Sequence, residues 1–266
     1  MDNEHPQSFT EQSEFIPEIY QYCDRWCERC PFTARCMNFA LNRDYFSEFG
    51  LFDAHSLAFW QSLLDAFRAM REFLEEALKR SGLEITEADL IAAKAREQAK
   101  QRQLETHDCS QAARRYIALV DDWFKAMADD LEAWADEWNA EEAADAPNQD
   151  RMARLEEIRR FIETIRRYQR QIYAKLMRAL SGKYDERQGV FLDETPKDGN
   201  GSAKVALIEI DRSILAWMAL RDELPERQDD IIDFLVALAR LRTHVEQIFP
   251  DARAFIRPGF DEIASA

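Results

Sequence analysis

Residues 150–182 read DRMARLEEIRRFIETIRRYQRQIYAKLMRALSG. Leu155, Ile158, Ile162, Ile165, Ile172, Leu176 and Leu180 recur at the spacing of one helix face, and Arg, Glu and Gln occupy half of the remainder. No proline or glycine interrupts the pattern before Gly182, which is expected to stop the helix. A stripe this long cannot be buried by its own helix, so it demands helical partners.

The partners are legible on both sides. A stripe of Tyr116, Leu119, Trp123, Met127, Leu131, Trp134 and Trp138 predicts one helix to about Ala143, capped by Asp108 or Ser110. An acidic linker with one proline, Glu141 to Asp150, follows it. Residues 202–223 are apolar around most of a helix and read as central, and Pro225 suits the first turn of a last helix carrying Ile231, Leu235, Leu238 and Val245. Residues 183–201, with Gly189, Pro196, Gly199 and Gly201, read as a long loop, functional or mobile. The tail from Pro250 is expected to fold back through Phe255, Ile256 and Phe260.

Towards the N-terminus, Asp53 is a candidate cap for a helix to about Arg80, closed by Gly82, with Leu57, Trp60, Leu64, Phe67, Met70, Leu74 and Leu78 on one face. Thr86 and Asp89 resemble a capping box opening a polar helix to about Gln103 that lies on the surface or reaches outward. A short helix at about 36–48, ended by Gly50, leaves the segment before it. The expected fold class is all-α: an antiparallel helical bundle of five to seven helices with an N-terminal four-cysteine metal-binding segment. Residues 1–50 form the arm and cysteine segment and 51–266 the bundle, one compact domain overall.

The totals agree. Only 7 Gly and 8 Pro in 266 residues disfavour sheets and barrels, which spend turn residues at every strand end. A net charge of −16 repels the phosphates of nucleic acid and of anionic membranes, so neither is an expected partner, whereas an unidentified protein partner is. The arginines between Arg154 and Arg170 read as a solvated face paired with Glu156, Glu157 and Glu163. No signal-peptide pattern opens the chain and no run approaches the roughly 18 apolar residues of a membrane span, so a cytoplasmic location is expected.

Chemistry concentrates in one place. Cys23, Cys27, Cys30 and Cys36 fall within fourteen residues, spaced C-x3-C-x2-C-x5-C. In a reducing compartment clustered thiols read as ligands before disulfides. Four thiolates repel one another unless a cation sits among them, and Arg25, Arg29 and Arg35 favour the ionised form. Pro31 bends the chain after Cys30. The candidate site is therefore Cys23, Cys27, Cys30 and Cys36, binding a [4Fe–4S] cluster or, alternatively, zinc.

The run from Cys27 to Cys36 resembles the [4Fe–4S] loop of the endonuclease III and adenine glycosylase family, where C-x2-C-x5-C also occurs. That resemblance implies a cluster. The family's first interval is longer than the one between Cys23 and Cys27, and its helix-hairpin-helix and catalytic Asp have no counterpart here. Cys23-x3-Cys27-x2-Cys30 also looks like the triplet of radical S-adenosylmethionine enzymes, without their barrel or Gly-rich cofactor motif.

Weaker signals remain. His107 and Cys109 straddle Asp108, and none of His5, His55, His107 and His244 has the Glu-x-x-His spacing of di-iron bundles. Asp211, Arg71, Arg242 and Gln169 interrupt apolar stripes and are expected to pair, Asp211 with an arginine. The expected function is metal binding with a structural or redox-sensing role. The alternatives are a zinc-stapled partner-binding scaffold using Trp123, Trp134 and Trp138, and an enzyme with a polar pocket around Asp211. A non-enzymatic role is favoured.

Overall fold

The structure, a computed structural model, describes residues 15–41, 57–82, 84–143, 148–189 and 196–261. Seven long helices are described: α1 (Leu57–Ser81), α2 (Glu87–Thr106), α3 (Asp108–Ala126), α4 (Ala128–Glu142), α5 (Gln149–Arg187), α6 (Pro196–Glu223) and α7 (Gln228–Ile248). No strand occurs among the described residues, as the all-α reading requires. No helix among them is long and apolar enough to cross a membrane. The chain divides into two compact units, residues 21–24 with 100–266, and residues 1–20 with 25–99.

The larger unit is an antiparallel bundle, and its polar contacts fix the directions. Ser110 near the start of α3 meets Met177 late in α5, while Asp121 further along α3 meets Arg170. Arg154 early in α5 pairs with Glu223 at the end of α6, and Gly182 late in α5 abuts Gly199 early in α6. Trp217 of α6 lies 4.5 Å from Phe234 of α7 and Asp211 bonds Arg242, so that pair also runs antiparallel. The core gathers Tyr116, Trp123, Ile165, Ile172, Leu207, Trp217, Ile231 and Leu238. Trp217 donates its indole hydrogen to the Tyr116 hydroxyl at 2.9 Å and meets Trp123 edge-on at 5.1 Å, so this pair of large side chains satisfies its polar atoms across α3 and α6, while the buried Trp123 indole nitrogen has no hydrogen-bond partner among the described residues.

Three expectations change. The helix predicted from a cap at Asp108 or Ser110 to about Ala143 bends at Met127, whose backbone leaves helical geometry (φ −96°, ψ 11°). The hydrogen-bond ladder continues through it, from the Met127 amide to Trp123 and from the Leu131 amide to Met127, each 2.9 Å. Gly182 does not stop α5, which runs on to Arg187 and ends where Gly189 takes φ +66°. Much of the predicted 183–201 loop is thereby helix: 183–187 belong to α5 and 196–201 to α6, with 190–195 outside the described residues.

Gly182, Gly199 and Gly201 explain the difference, because they serve packing rather than turning. A Cβ on Gly182 would lie 3.1 Å from the Gly199 amide nitrogen. A Cβ on Gly201 would clash with the edge of the Tyr22 ring and lie 2.9 Å from that of Phe255. Helix propensity is given up so that backbones and rings can touch.

In the smaller unit, α1 ends at Gly82 (φ +68°) as predicted, while Asp53, Gly50 and most of the helix expected at 36–48 lie outside the described residues. Thr86 and Asp89 do form the capping box: the Thr86 amide and hydroxyl donate to the Asp89 carboxylate at 3.0 and 2.7 Å, and the Asp89 amide returns a bond to the Thr86 oxygen at 3.2 Å. These bonds hold the Asp89 carboxyl below the usual range. The stripe on α1 is not core. Trp60, Leu64, Phe67, Met70 and Leu74 are exposed, Phe67 by 64%.

Candidate functional site

The cysteine segment is built from two tight turns. Cys27–Arg29 and Thr33–Arg35 are single 3₁₀ turns, closed by the Cys30 amide on the Cys27 carbonyl at 3.2 Å and the Cys36 amide on Thr33 at 3.3 Å. Pro31 lies between them, at the bend its ring favours. The Arg29 guanidinium stacks 3.9 Å over the Trp26 ring, and the Ile16 amide bonds the Arg35 carbonyl at 3.0 Å. Cys23, Cys27, Cys30 and Cys36 are each half-buried, and no disulfide joins any of the five cysteines. Thiols of this kind suit a soft or borderline cation. Among the described residues, however, no group of three or more His, Cys, Asp or Glu side chains is arranged to hold a metal ion.

Cys23 sits in a stretch that is docked on the bundle. Before it, the Gln21 carbonyl accepts from Lys175 at 3.1 Å and its side-chain oxygen from Arg178 at 2.6 Å, while Arg178 also grips Asp198 at 2.7 Å. Tyr22 fills the notch left by Gly201, its ring 4.8 Å from Phe255. After it, Asp24 accepts from Tyr168 at 2.9 Å and Arg212 at 2.5 Å, and Arg212 also donates to the Tyr168 oxygen at 2.7 Å. Gln21, Tyr22 and Asp24, which flank Cys23, are thus keyed to α5 and α6 by charge, shape and hydrogen bonds.

Beneath this stretch lies a carboxyl that the sequence reading did not single out. Glu209 of α6 is fully buried, and neither carboxylate oxygen has a hydrogen-bond partner among the described residues. Burial pushes its pKa well above the ordinary carboxylate range; Asp24 adds to the shift, while Lys175, Arg212 and Arg167 oppose it. The protonated acid is the form the site favours. Lys175, also buried, donates to Gln21. The available signal was a seam of Ser202, Ala206, Glu209, Ser213 and Ala216, at alternating steps of four and three on the most buried side of α6.

The residues flagged within apolar stripes behave as paired charges. Asp211 accepts from Arg242 at 3.3 Å and Arg253 at 2.6 Å, with its side chain 34% exposed. Gln169 donates to Asp121 at 3.2 Å. Arg71 is an exposed residue of α1, 3.5 Å from Glu75.

His107 and Cys109 also find a plain role. The N-cap of α3 is His107, not Asp108 or Ser110: its Nδ1 accepts from the Cys109 amide at 3.2 Å. Burial lowers the His107 pKa, keeping the ring in the neutral form that can accept, although neighbouring Asp108 opposes the shift. The Cys109 thiol is buried and pushed up to about 11, which makes it a core side chain rather than a nucleophile.

No protein-family model, curated protein or solved structure matches this chain.

Proposed function

We propose that Cys23, Cys27, Cys30 and Cys36 bind one metal centre as thiolates, a [4Fe–4S] cluster with zinc as the alternative, and that the role is structural or redox-sensing rather than enzymatic. The observation that carries this reading is the set of four thiols within fourteen residues, free of disulfides, with Arg25, Arg29 and Arg35 interspersed. It rests on residue type and spacing. The anchoring of Gln21, Tyr22 and Asp24 on either side of Cys23 supports it, because a ligand held between fixed neighbours costs less entropy to immobilise. The charges around Asp211 are already paired, which favours register-setting ion pairs there over a polar pocket.

Anaerobic purification followed by iron, sulfide and zinc analysis tests the proposal. A brown protein with iron and acid-labile sulfide supports the cluster, and a colourless one with bound zinc supports the alternative. A metal-free protein with four reduced thiols that takes up neither metal on reconstitution would sink both.

A further inference from the structure

Between α4 and α5 runs a groove of about 460 Å³, floored by Ile158 and Ile162 and walled by Trp134 and Trp138. Its size falls within the roughly 300–1,000 Å³ of small-molecule sites. No described side chain of α4 is fully buried, so both tryptophans keep apolar surface facing the groove. Side chains this large and half-covered are costly to leave in water.

The rim carries the charge that selects a ligand. Arg159, Glu163 and Arg166 stand along it. Glu163 is matched by Arg159 at 3.5 Å, and Arg159 also covers the Trp138 ring at 5.4 Å. Arg166 leans on the Phe124 ring at 4.4 Å and has no carboxylate partner among the described residues. One apolar trough therefore ends in one unmatched guanidinium, inside a chain whose net charge is −16. A neighbouring cavity of about 240 Å³ shares Trp134, but its arginines are taken: Arg151 by Glu137 at 2.6 Å and Arg154 by Glu223 at 2.7 Å.

We propose that the α4–α5 groove is a binding site for an amphipathic monocarboxylate of medium chain length, its hydrocarbon body lying on Trp134, Trp138, Ile158 and Ile162 and its carboxylate on Arg166. Guanidinium and carboxylate match as a planar two-point pair, which an alcohol cannot reproduce. A quaternary ammonium would also suit bare indole faces. Here Arg159 already places a cation over the Trp138 ring, which would repel a second one, and the nearby Glu163 is paired with that same arginine.

The test is calorimetric titration of the full chain with decanoate below its micellar concentration, against decanol and decyltrimethylammonium. Decanoate is expected to bind saturably, about tenfold or more tighter than decanol. Arg166→Gln should weaken decanoate by about tenfold and leave decanol unchanged. Ala135→Phe, placed on the exposed side of α4 to fill the groove, should abolish binding of both while circular dichroism stays that of the parent. Equal affinity for acid and alcohol, tighter binding of the ammonium, or an Arg166→Gln protein indistinguishable from the parent would each overturn the assignment. So would a dimer that decanoate converts to monomer, which would give the groove to a second copy of the chain.

Discussion

Glu209 is a residue whose protonation the bundle controls. Its carboxyl is fully buried without a hydrogen-bond partner among the described residues, and ionising it there costs several kcal/mol. The sign follows from the raised pKa. The folded state holds a proton that the unfolded state gives up near 4.5, so this contribution to stability is complete below that value and is lost as pH rises through the folded pKa. Glu209→Gln keeps the shape and removes the charge. It should melt higher than the parent at pH 8, by roughly 2–4 °C for each kcal/mol recovered, and differ little at pH 4. Melting curves at the two pH values check this, and an equal shift at both would refute it. The sequence concealed Glu209 because single acidic residues are common in helices and only the seam of small residues marks its side as innermost. Asp211, two positions on, drew notice from its apolar neighbours, yet it lies on a partly open side where Arg242 and Arg253 reach it. At this scale chemistry depends on which side of a helix faces inward, and composition gives that only coarsely.

Among the elements, α6 shows how a sequence can be read as its opposite. Gly199, Gly201 and Pro196 carry the marks of a loop, but the helix begins at Pro196 and uses both glycines as contact points. Gly201→Ala should cost about 1–3 kcal/mol as an overpacked site, and it should loosen residues 21–24 more than the helix itself. Hydrogen exchange of the Tyr22 amide together with urea melts separates the two effects; an unchanged Tyr22 would mean that the ring simply moves aside. The case of α1 is the reverse. Its stripe of Trp60, Leu64, Phe67 and Leu74 looks like core and its helix forms as predicted, but the side chains stand in solvent. Phe67→Ser should therefore change stability by no more than about 0.5 kcal/mol, whereas a core phenylalanine would cost about 3–5. Periodicity identifies a face that wants cover; it does not say what provides the cover. Caps were more legible, since the Thr86–Asp89 box depends only on local spacing. The His107 cap was missed because imidazole is an unusual acceptor at a helix start.

For the whole molecule, the bundle has a core of its own, and Cys109 is the cysteine that belongs to it. Tyr116, Trp217, Ile165 and Leu207 are buried among α3, α5 and α6, whereas Cys27, Cys30 and Cys36 are only half-buried. On the proposed metal-binding reading, Cys30→Ser should release the metal and leave far-ultraviolet helical signal nearly intact. Collapse of that signal would show that the centre contributes to the core itself. Fold class was legible because long stripes at helical spacing occur throughout the chain, and paucity of turn residues excluded the sheet alternatives. The candidate site is legible only as chemistry: thiols and arginines at short intervals state what they could bind, while their mutual placement depends on backbone turns such as those at Cys27–Arg29 and Thr33–Arg35.

Residues 21–24 are held by Tyr168, Lys175 and Arg212, up to 188 positions away in the chain. A ribosome delivers the first cysteine long before it delivers the surface that receives it. During synthesis the N-terminal stretch must wait until α5 and α6 have emerged and paired, so what is made first settles late. A cell that loads a metal here would meet its thiols on a loose strand before it meets them on a finished protein.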